Sequence, residues 1–401
     1  MAALTQDIVG VRRAKTLFGL TGCHLVNDFY GMVFPVFLFS LIKAFGLSNL
    51  EAGLVTFANV FTSAIFQPTI GYYADLHQKR KTALTIGLGL CGVSMFILGL
   101  SGSYGYGVLL AAAVLLGLAG SAYHPQSTNM LAYFFPQSRG KASGIHGIGN
   151  GLGFVTVFLA GGLFIGALGW QQAAYVLVIP GLLAAVAATV LFEEPATIGG
   201  RGALKGISKP LLLLTIVSGF NMMVSMGFIA FVPTFFSAKG GLSVAASSIL
   251  VAVMLLPVIG TQPLGGSLSD RLGRRTVILL SLIIATAALV AFSLVALFSS
   301  WSTWEVVLLS LLGSLLFSSI FFMPPVALMF ASELAVGERR GTTVGVVWGV
   351  SIAMGSLTPP LVGGLSDSLG YPLAFLSLAS LSVAGIVLAL RLPLGKPSPR
   401  G

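Results

Sequence analysis

Charged residues are scarce in this chain, and their scarcity excludes a soluble domain. Asp, Glu, Lys and Arg make up 8% of the 401 residues, whereas a soluble domain carries about 25%. Hydrophobic residues make up 56%, and the mean hydropathy is +0.98. Apolar runs of roughly 20 residues have the length of spanning helices and are longer than barrel strands. We therefore expect an all-α integral membrane protein whose surroundings are the lipid bilayer.

Cysteine and catalytic sequence motifs are scarce as well. The two cysteines, Cys23 and Cys91, both lie inside apolar segments, which indicates packing residues and no disulfide. The chain contains no Gly-x-Ser-x-Gly, His-Glu-x-x-His or P-loop pattern. We therefore expect no enzyme activity, no nucleotide-driven pumping and no cofactor.

The basic residues indicate membrane topology and not a nucleic-acid partner, although the formal net charge is +10. Of the 21 Lys and Arg residues, all but Lys43 and Lys239 lie at the N-terminus, in every second loop or in the C-terminal tail. Positive charge concentrates on the cytoplasmic side of membrane proteins, so both termini are predicted to be cytoplasmic.

Polar or glycine-rich breaks divide the chain into twelve apolar segments. They span about 17–42, 50–74, 82–101, 105–132, 140–167, 172–192, 210–237, 244–268, 276–299, 303–332, 341–365 and 371–391. The longest break separates the sixth segment from the seventh. We predict a six-helix bundle at 1–192, a cytoplasmic linker at 193–209 and a second six-helix bundle at 210–401.

One loop motif occurs in both halves. Gly71-xxx-Asp75-xxx-Lys79-Arg80 follows the second segment, and Gly266-xxx-Asp270-xxx-Arg274-Arg275 follows the eighth. Two parallel repeats with a site between them near the midplane are typical of secondary transporters.

This motif resembles the signature of the major facilitator superfamily, and the resemblance covers the whole chain. It implies two pseudo-symmetric bundles and transport by alternating access. In that family the Asp pairs with the basic cluster and holds the halves together on the cytoplasmic side. The residues to which the resemblance assigns this gating role are Gly71, Asp75, Arg80, Gly266, Asp270 and Arg274.

A narrower resemblance rests on the first, fourth and fifth segments. His24-Leu-Val-Asn27-Asp28, Tyr123-His124-Pro125-Gln126-Ser127 and a Gly- and Asn-rich fifth segment resemble the fosmidomycin-resistance group of drug exporters. Gln126 and Asn129 stand where that group has Glu and Arg, so the buried Arg that would suit a phosphonate is absent. Gly355-xxx-Pro359-Pro360-xx-Gly363-Gly364 resembles half of the family's antiporter motif. Together with the compact loops, the resemblance implies a bacterial inner-membrane protein, and we expect a monomer.

Asp28 is the single carboxylate deep inside an apolar segment. A charge there costs several kcal/mol, roughly 2.5 or more, so such a residue is rarely present without a function. His24 precedes it by one helical turn and shares its helix face, as His146 and Asn150 do on the fifth segment. We predict proton antiport of a small organic molecule, with Asp28 and His24 as the proton-coupling residues. The predicted substrate-binding residues are Asn27, Tyr123, His124, Gln126, His146, Asn150, Asn221 and Met223.

Other interpretations stay open. A transition metal or metal chelate is an alternative cargo, with His24, Asp28, His124 and His146 as its ligands. An intramembrane enzyme or sensor on a transporter scaffold is a second alternative. Asp28 and the histidines could also be structural hydrogen-bonding groups between helices. A substrate without multiple negative charges is favoured, because no Lys or Arg lies in the membrane interior.

Overall fold

The computed structural model describes residues 2–195, 208–335 and 340–394, and the side chains in these ranges except those of 2–12, 139–141, 263 and 340–342. Helices account for all regular structure in the described part of the chain, which confirms the all-α prediction. Most of the predicted linker, 196–207, lies outside the described residues.

Eighteen α-helices lie within the described ranges, with one π-helical turn at Val157–Gly161 between the seventh and eighth. They are α1 (Ala2–Gly31), α2 (Val33–Phe45), α3 (Asn49–Leu76), α4 (Arg80–Tyr104), α5 (Tyr106–Gly120), α6 (Tyr123–Phe134), α7 (Arg139–Thr156), α8 (Gly162–Leu168), α9 (Trp170–Val176), α10 (Val178–Leu191), α11 (Lys209–Ala238), α12 (Val244–Leu255), α13 (Val258–Leu272), α14 (Arg274–Phe298), α15 (Thr303–Leu334), α16 (Arg340–Ser356), α17 (Thr358–Leu369) and α18 (Tyr371–Ala389).

Several spans consist of two helices in succession, and proline explains some of the breaks. Pro125 has no N–H to donate to the carbonyl one turn earlier, so the helical ladder is interrupted between α5 and α6. Pro257 separates α12 from α13, and Pro359 follows the break between α16 and α17. When such pairs are joined, eleven stretches of the described chain are long and apolar enough to cross a membrane. The protein is therefore a multi-pass membrane protein.

Helix α3 is not among these eleven stretches, although its 28 residues exceed the length needed to span. It contains Asn59, Gln67, Pro68 and Asp75, which lower its mean hydropathy.

The described residues form two contact units. The first comprises the described residues of Met1–Val33 and Thr62–Gly200, and the second those of Phe34–Phe61 and Arg201–Gly401. In the first unit α1, α4, α6, α7 and α10 surround a core that includes Leu20, Leu88 and Met130. Cys23 and Cys91 are buried and free, which confirms their prediction as packing residues.

Helix α11 is the most deeply buried helix of the second unit. Its aromatic side chains meet those of the neighbouring helices, and Phe228 lies 5.0 Å from both Phe292 and Phe375, ring centre to ring centre. Edge-to-face aromatic contacts of this kind contribute about 0.5–1.5 kcal/mol each beyond the burial of their area. The apolar sequence of α11 does not indicate which face of the helix is buried. In the structure, neighbouring helices pack against most of its surface.

Candidate functional site

Seven of the predicted site residues lie in one cluster inside the first unit. Helix α1 contributes His24, Asn27 and Asp28, α6 contributes Tyr123 and His124, and α7 contributes His146 and Asn150. We call this set the polar cluster. All its members are buried except His124 and Asn150, which are half-buried.

Two glycines on α7 allow the backbone of α1 to approach closely enough to form the polar cluster. A Cβ atom at Gly149 would lie 2.4 Å from the carbonyl oxygen of Thr21, and one at Gly153 would lie 2.6 Å from that of Leu25. Both distances are far below a normal carbon–oxygen contact, so only glycine fits. Small residues on one face are a common route to close helix packing in membranes. As a result, the rings of His24 and His146 stack with their centres 4.1 Å apart.

Pro125 determines where α6 begins, and thereby the position of Tyr123 and His124 in the polar cluster. The break that it causes ends α5 at Gly120, and α6 starts at Tyr123, so Tyr123 and His124 occupy the first turn of a new helix. The Tyr123 hydroxyl donates to the carbonyl of Leu20 at 2.5 Å and accepts from Nε2 of His146 at 3.0 Å. It thereby connects all three helices.

Four nitrogen atoms surround the carboxylate of Asp28. Asn27 Nδ2 donates to Oδ1 at 2.8 Å, and His124 Nε2 lies 3.4 Å from the same oxygen. His24 Nε2 lies 3.1 Å from Oδ2, which also accepts from Nδ2 of Asn150. Asp28 is 5% exposed. A buried carboxylate is tolerated when its oxygens are paired in this way.

The hydrogen bonds of His24 determine how many protons it holds together with Asp28. Nδ1 of His24 lies 2.8 Å from the backbone carbonyl of His146, and a carbonyl can only accept, so Nδ1 carries a proton. Nε2 faces the carboxylate at 3.1 Å, where two bare lone pairs would repel each other. One further proton must therefore lie between Nε2 and Oδ2. The pair is either imidazolium with carboxylate or imidazole with carboxylic acid.

His146 lies at the edge of the polar cluster, and its hydrogen bonds give it a supporting role. The Tyr123 hydroxyl already donates to Leu20, so Nε2 of His146 must donate to the hydroxyl oxygen. The bond to Tyr123 therefore holds the His146 ring in place, and the backbone carbonyl of His146 accepts from Nδ1 of His24. His124 is the partly exposed histidine of the polar cluster, with 32% of its side chain exposed. Its Nε2 also lies 3.4 Å from Nδ2 of Asn27.

Three of the four predicted metal ligands come together. One ligand atom each from His24, Asp28 and His124 lie within 4.8 Å of one another. Nε2 of His146, the fourth, is bound to Tyr123. The orienting contact that metal-bound histidines usually have is present at His24, whose second nitrogen donates to a carbonyl. These residue types suit a transition-metal ion such as zinc or nickel.

Some buried polar atoms of the candidate site have no hydrogen-bond partner among the described residues. They are Oδ1 of Asn27 and both amide atoms of Gln126, whose side chain is completely buried. An unpaired buried amide costs about 1–3 kcal/mol, so it is retained only where a partner arrives at some stage or where function requires it.

The remaining predicted substrate-binding residues lie in the second unit, away from any described histidine. Nδ2 of Asn221 donates to the carbonyl of Ile320 at 3.2 Å. Asn221 also lines a narrow crevice together with Met222, Met323 and Trp348. Met223 is half-buried and does not contribute to this lining.

Each copy of the loop motif forms an ion pair. Arg80 Nε donates to Asp75 Oδ1 at 2.6 Å, and Arg274 Nη1 lies 2.6 Å from Asp270 Oδ1. The two arginines are not at matching positions of the motif, since Lys79 aligns with Arg274. Three residues separate α3 from α4, whereas Gly273 alone separates α13 from α14. In both copies, therefore, the pairing arginine is the first residue of the following helix.

The motif glycines have unequal roles. A Cβ at Gly71 would lie 3.2 Å from Cβ of Pro125, so α3 and α6 pack closely there. At Gly266 a Cβ would meet only Met329, at 3.9 Å, whereas at the preceding Gly265 it would lie 2.5 Å from the carbonyl oxygen of Phe322. Gly265 is thus the residue that permits close packing in the second copy.

Sequence reasoning missed three carboxylates that make long-range contacts. Glu333 pairs with Arg274 at 2.8 Å, Glu194 accepts from the backbone N–H of Lys81 at 3.1 Å, and Asp367 accepts from two backbone N–H groups of α3. Asn129 Nδ2 also donates to Asp75 at 3.1 Å. The three carboxylates each lie near a helix end, and no sequence motif relates them to their partners.

Comparison with known proteins places the chain in a family. The model of the Major Facilitator Superfamily matches residues 20–234 and 211–401. The fosmidomycin resistance protein of Escherichia coli K12 is 27% identical over 96% of this chain and 97% of its own length. The multidrug resistance protein MdtG of Salmonella paratyphi C is 26% identical over 88% of this chain and 89% of its own.

Solved structures agree on the fold. A bacterial homologue of the human lysosomal transporter Spinster, in an inward-facing and occupied conformation, superimposes with a TM-score of 0.80 at 19% identity. The alignment covers 95% of this chain and 97% of that one. The predicted resemblance to the fosmidomycin-resistance group is confirmed, and this chain belongs to the major facilitator superfamily of membrane transporters.

Proposed function

We propose that this protein is a proton-coupled antiporter that exports a small organic molecule by alternating access. Twelve spanning helices, with α3 as the twelfth, form six-helix halves at 1–192 and 210–401, joined by the linker at 193–209. Both termini are cytoplasmic, and the protein acts as a monomer in a bacterial inner membrane. The basic loops support this orientation, and the family supports the transport mechanism.

The observation that carries the proposal is the pair of contacts that His24 makes with the carbonyl of His146 and with the carboxylate of Asp28. The carbonyl of His146 keeps a proton on Nδ1 of His24, and the 3.1 Å contact between Nε2 and the carboxylate requires another. A buried pair that must hold one proton in one arrangement, and can lose it when the arrangement changes, is the element that proton coupling needs. In this proposal, the bound proton and the bound substrate exclude each other, so substrate binding releases the proton.

His124 connects the shared proton to solvent. It is the partly exposed histidine of the polar cluster, and its Nε2 lies 3.4 Å from Oδ1 of Asp28, whereas His24 contacts Oδ2. A neutral imidazole can accept a proton on one nitrogen while it donates a proton from the other. A proton can therefore reach Asp28 from the open side through His124, while Asn27 and Asn150 keep the carboxylate in place.

The unpaired amides favour a substrate with hydrogen-bonding groups. Oδ1 of Asn27 accepts, and the amide of Gln126 can both donate and accept. The relatives named for fosmidomycin and multidrug resistance support an exported drug-like molecule. Gln126 and Asn129 replace the acid and the base of the exporter group, which favours a neutral or cationic substrate over a phosphonate.

The decisive experiment is gradient-driven transport by Asp28→Asn in proteoliposomes. A thermal-shift screen of drugs, phosphonates, amino-acid derivatives and metals at two pH values first identifies a ligand. That ligand is then used as the transported probe. We expect Asp28→Asn to lose accumulation driven by a pH gradient and to keep downhill exchange of the same probe. Glu305→Gln is the matched control, since Glu305 is an exposed carboxylate that caps α15 locally. Full gradient-driven accumulation by Asp28→Asn refutes the proposal.

A transition-metal cargo is the second candidate function, favoured by the three ligand atoms within 4.8 Å and by the oriented ring of His24. It predicts zinc or nickel binding by the purified protein that His24→Ala and His124→Ala each abolish. His146→Ala tests whether His146 is a metal ligand or only supports the cluster. It removes the ring bound to Tyr123 and leaves the backbone carbonyl that binds His24. Binding that none of these substitutions weakens excludes the metal function for this site.

A further inference from the structure

The N-terminal end of α3 is bound by a carboxylate more than 300 residues away in the sequence. Asp367, near the end of α17, accepts from the backbone N–H of Asn49 through Oδ1 at 2.9 Å and from that of Leu50 through Oδ2 at 2.9 Å. Oδ1 also accepts from the side-chain Nδ2 of Asn49 at 2.8 Å. Both oxygens of one carboxylate thus serve the same helix start. The three residues involved all belong to the second contact unit, as does Tyr371.

The remaining N–H groups of this helix start are satisfied locally. Glu51 N donates to Ser48 Oγ at 3.2 Å, and Ala52 N donates to the Ser48 carbonyl at 3.1 Å. Helix starts leave about four N–H groups without partners in the helix, and here Ser48 provides for two and Asp367 for the other two. If Asp367 moved away, the first two N–H groups of α3 would turn to water.

A second contact holds the same corner together. The Tyr371 hydroxyl, at the start of α18, donates to Oδ1 of Asn49 at 2.6 Å. The Asn49 side chain therefore lies between Asp367 and Tyr371 and bonds to both. A carboxylate at a helix N-terminus, such as that of Asp367, is also favoured by the helix dipole.

Reciprocal glycines make the contact close. A Cβ at Gly53 of α3 would lie 2.5 Å from the carbonyl oxygen of Pro359, and one at Gly363 of α17 would lie 2.2 Å from that of Asn49. Pro359 and Gly363 belong to the sequence that resembles half of the antiporter motif. In this structure those residues form the surface on which the first turns of α3 pack.

We propose that Asp367, Asn49 and Tyr371 form a latch that holds the start of α3 on the end of α17 when the transporter is closed on its outer side. The positive-inside distribution places this end of the helices away from the cytoplasm. The latch is made of exposed hydrogen bonds and glycine contacts, without a buried ion pair, so it can open and reform within a transport cycle. The inference rests on the proposed alternating-access function.

The test is a distance measurement between spin labels in the full-length protein in nanodiscs. Ala44→Cys and Ser368→Cys are exposed attachment sites, and the two native cysteines are buried. We expect Asp367→Asn to raise the ratio of long to short distances about two- to fivefold, because asparagine keeps the shape and removes the charge. Glu305→Gln, an exposed carboxylate whose cap is local, is the matched control and leaves the ratio unchanged.

A distance distribution of Asp367→Asn equal to that of the wild type overturns the latch. If Asp367→Asn does not fold, Tyr371→Phe decides, since it removes only the hydrogen bond to Asn49 and is expected to shift the ratio about twofold. An unchanged ratio in that variant likewise overturns the proposal. Failure of the proton-coupling function would leave these distances as predicted and give Asp28→Asn wild-type transport, so the two failures are distinguishable.

Discussion

Gly149→Ala tests whether close packing of α1 on α7 builds the polar cluster. The added Cβ would lie 2.4 Å from the Thr21 carbonyl oxygen and 2.9 Å from Cβ of His24. Ordinary contact begins near 3.4 Å, so the two helices must separate by about 1 Å at this level. The 2.8 Å hydrogen bond from His24 to the His146 carbonyl would then exceed the range of a hydrogen bond.

The expected cost of Gly149→Ala is about 1–3 kcal/mol of folding free energy, which is the usual penalty for an overpacked site. A gain of about 0.5–1 kcal/mol from replacing a helical glycine offsets part of it. Gly144→Ala on the same helix is the matched control, because a Cβ there meets nothing within 4 Å. It receives the gain without the penalty.

The assay is the apparent melting temperature of the purified variants in detergent, followed by gradient-driven transport. We expect Gly149→Ala to melt below the wild type and to lose proton-driven accumulation, and Gly144→Ala to melt at or above the wild type with transport intact. Equal melting temperatures and equal transport for the two variants would refute the reasoning that this glycine sets the distance between His24 and His146.

Three further substitutions have definite outcomes. Tyr123→Phe removes the hydroxyl between Leu20 and His146, and should cost about 0.5–1.5 kcal/mol in thermal stability and slow proton-driven transport, both measured against the wild type. Gln126→Met removes two unpaired buried amide atoms, so the melting temperature should rise while substrate affinity falls; a lower melting temperature would show that the amide is paired. Arg274→Lys cannot contact Asp270 and Glu333 with the same planar group, so transport should fall more than in Arg275→Lys, its neighbour and control.

Hydropathy and the repeated motif were sufficient to predict the helical membrane fold, because spanning segments must satisfy their backbone bonds internally. Helix α3 illustrates the limit of that reasoning. Asn59, Gln67 and Pro68 lower its mean hydropathy, and the polar breaks on either side of 50–74 identified it as one of the spans. Breaks such as the one before Tyr123 followed from Pro125, whose missing N–H could be recognised in the sequence.

The composition of the polar cluster could be predicted in part. Counted along their segments at about 1.5 Å per residue, His24, His124 and His146 lie at a similar depth, but the stacking of two rings at 4.1 Å depends on which helices are neighbours. Gly149 and Gly153, one turn apart in the glycine-rich fifth segment, are a sequence signal for close packing, although they do not specify α1 as the partner. The sequence predicted Asp28 and His24 as proton-coupling residues, but it could not predict the hydrogen bond between Nδ1 of His24 and the carbonyl of His146.

Contacts between distant helix ends were beyond sequence reasoning. Asp367 and Asn49 are both exposed or half-exposed polar residues at segment ends, where polar residues are ordinary. The motif comparison also aligned Lys79 with Arg274, whereas the ion pair uses Arg80 because the break between α3 and α4 is longer than the one at Gly273. Local helix ends, and not motif position, decide which arginine reaches the aspartate.

Release of protons on substrate binding is the most direct test of the central claim that His24 and Asp28 share a proton which substrate displaces. Purified protein in weakly buffered detergent solution, titrated with the transported probe, should release about one proton per molecule, since the pair holds one proton between Nε2 and the carboxylate. Asp28→Asn should bind the probe and release none. Equal proton release by the wild type and Asp28→Asn would contradict the account.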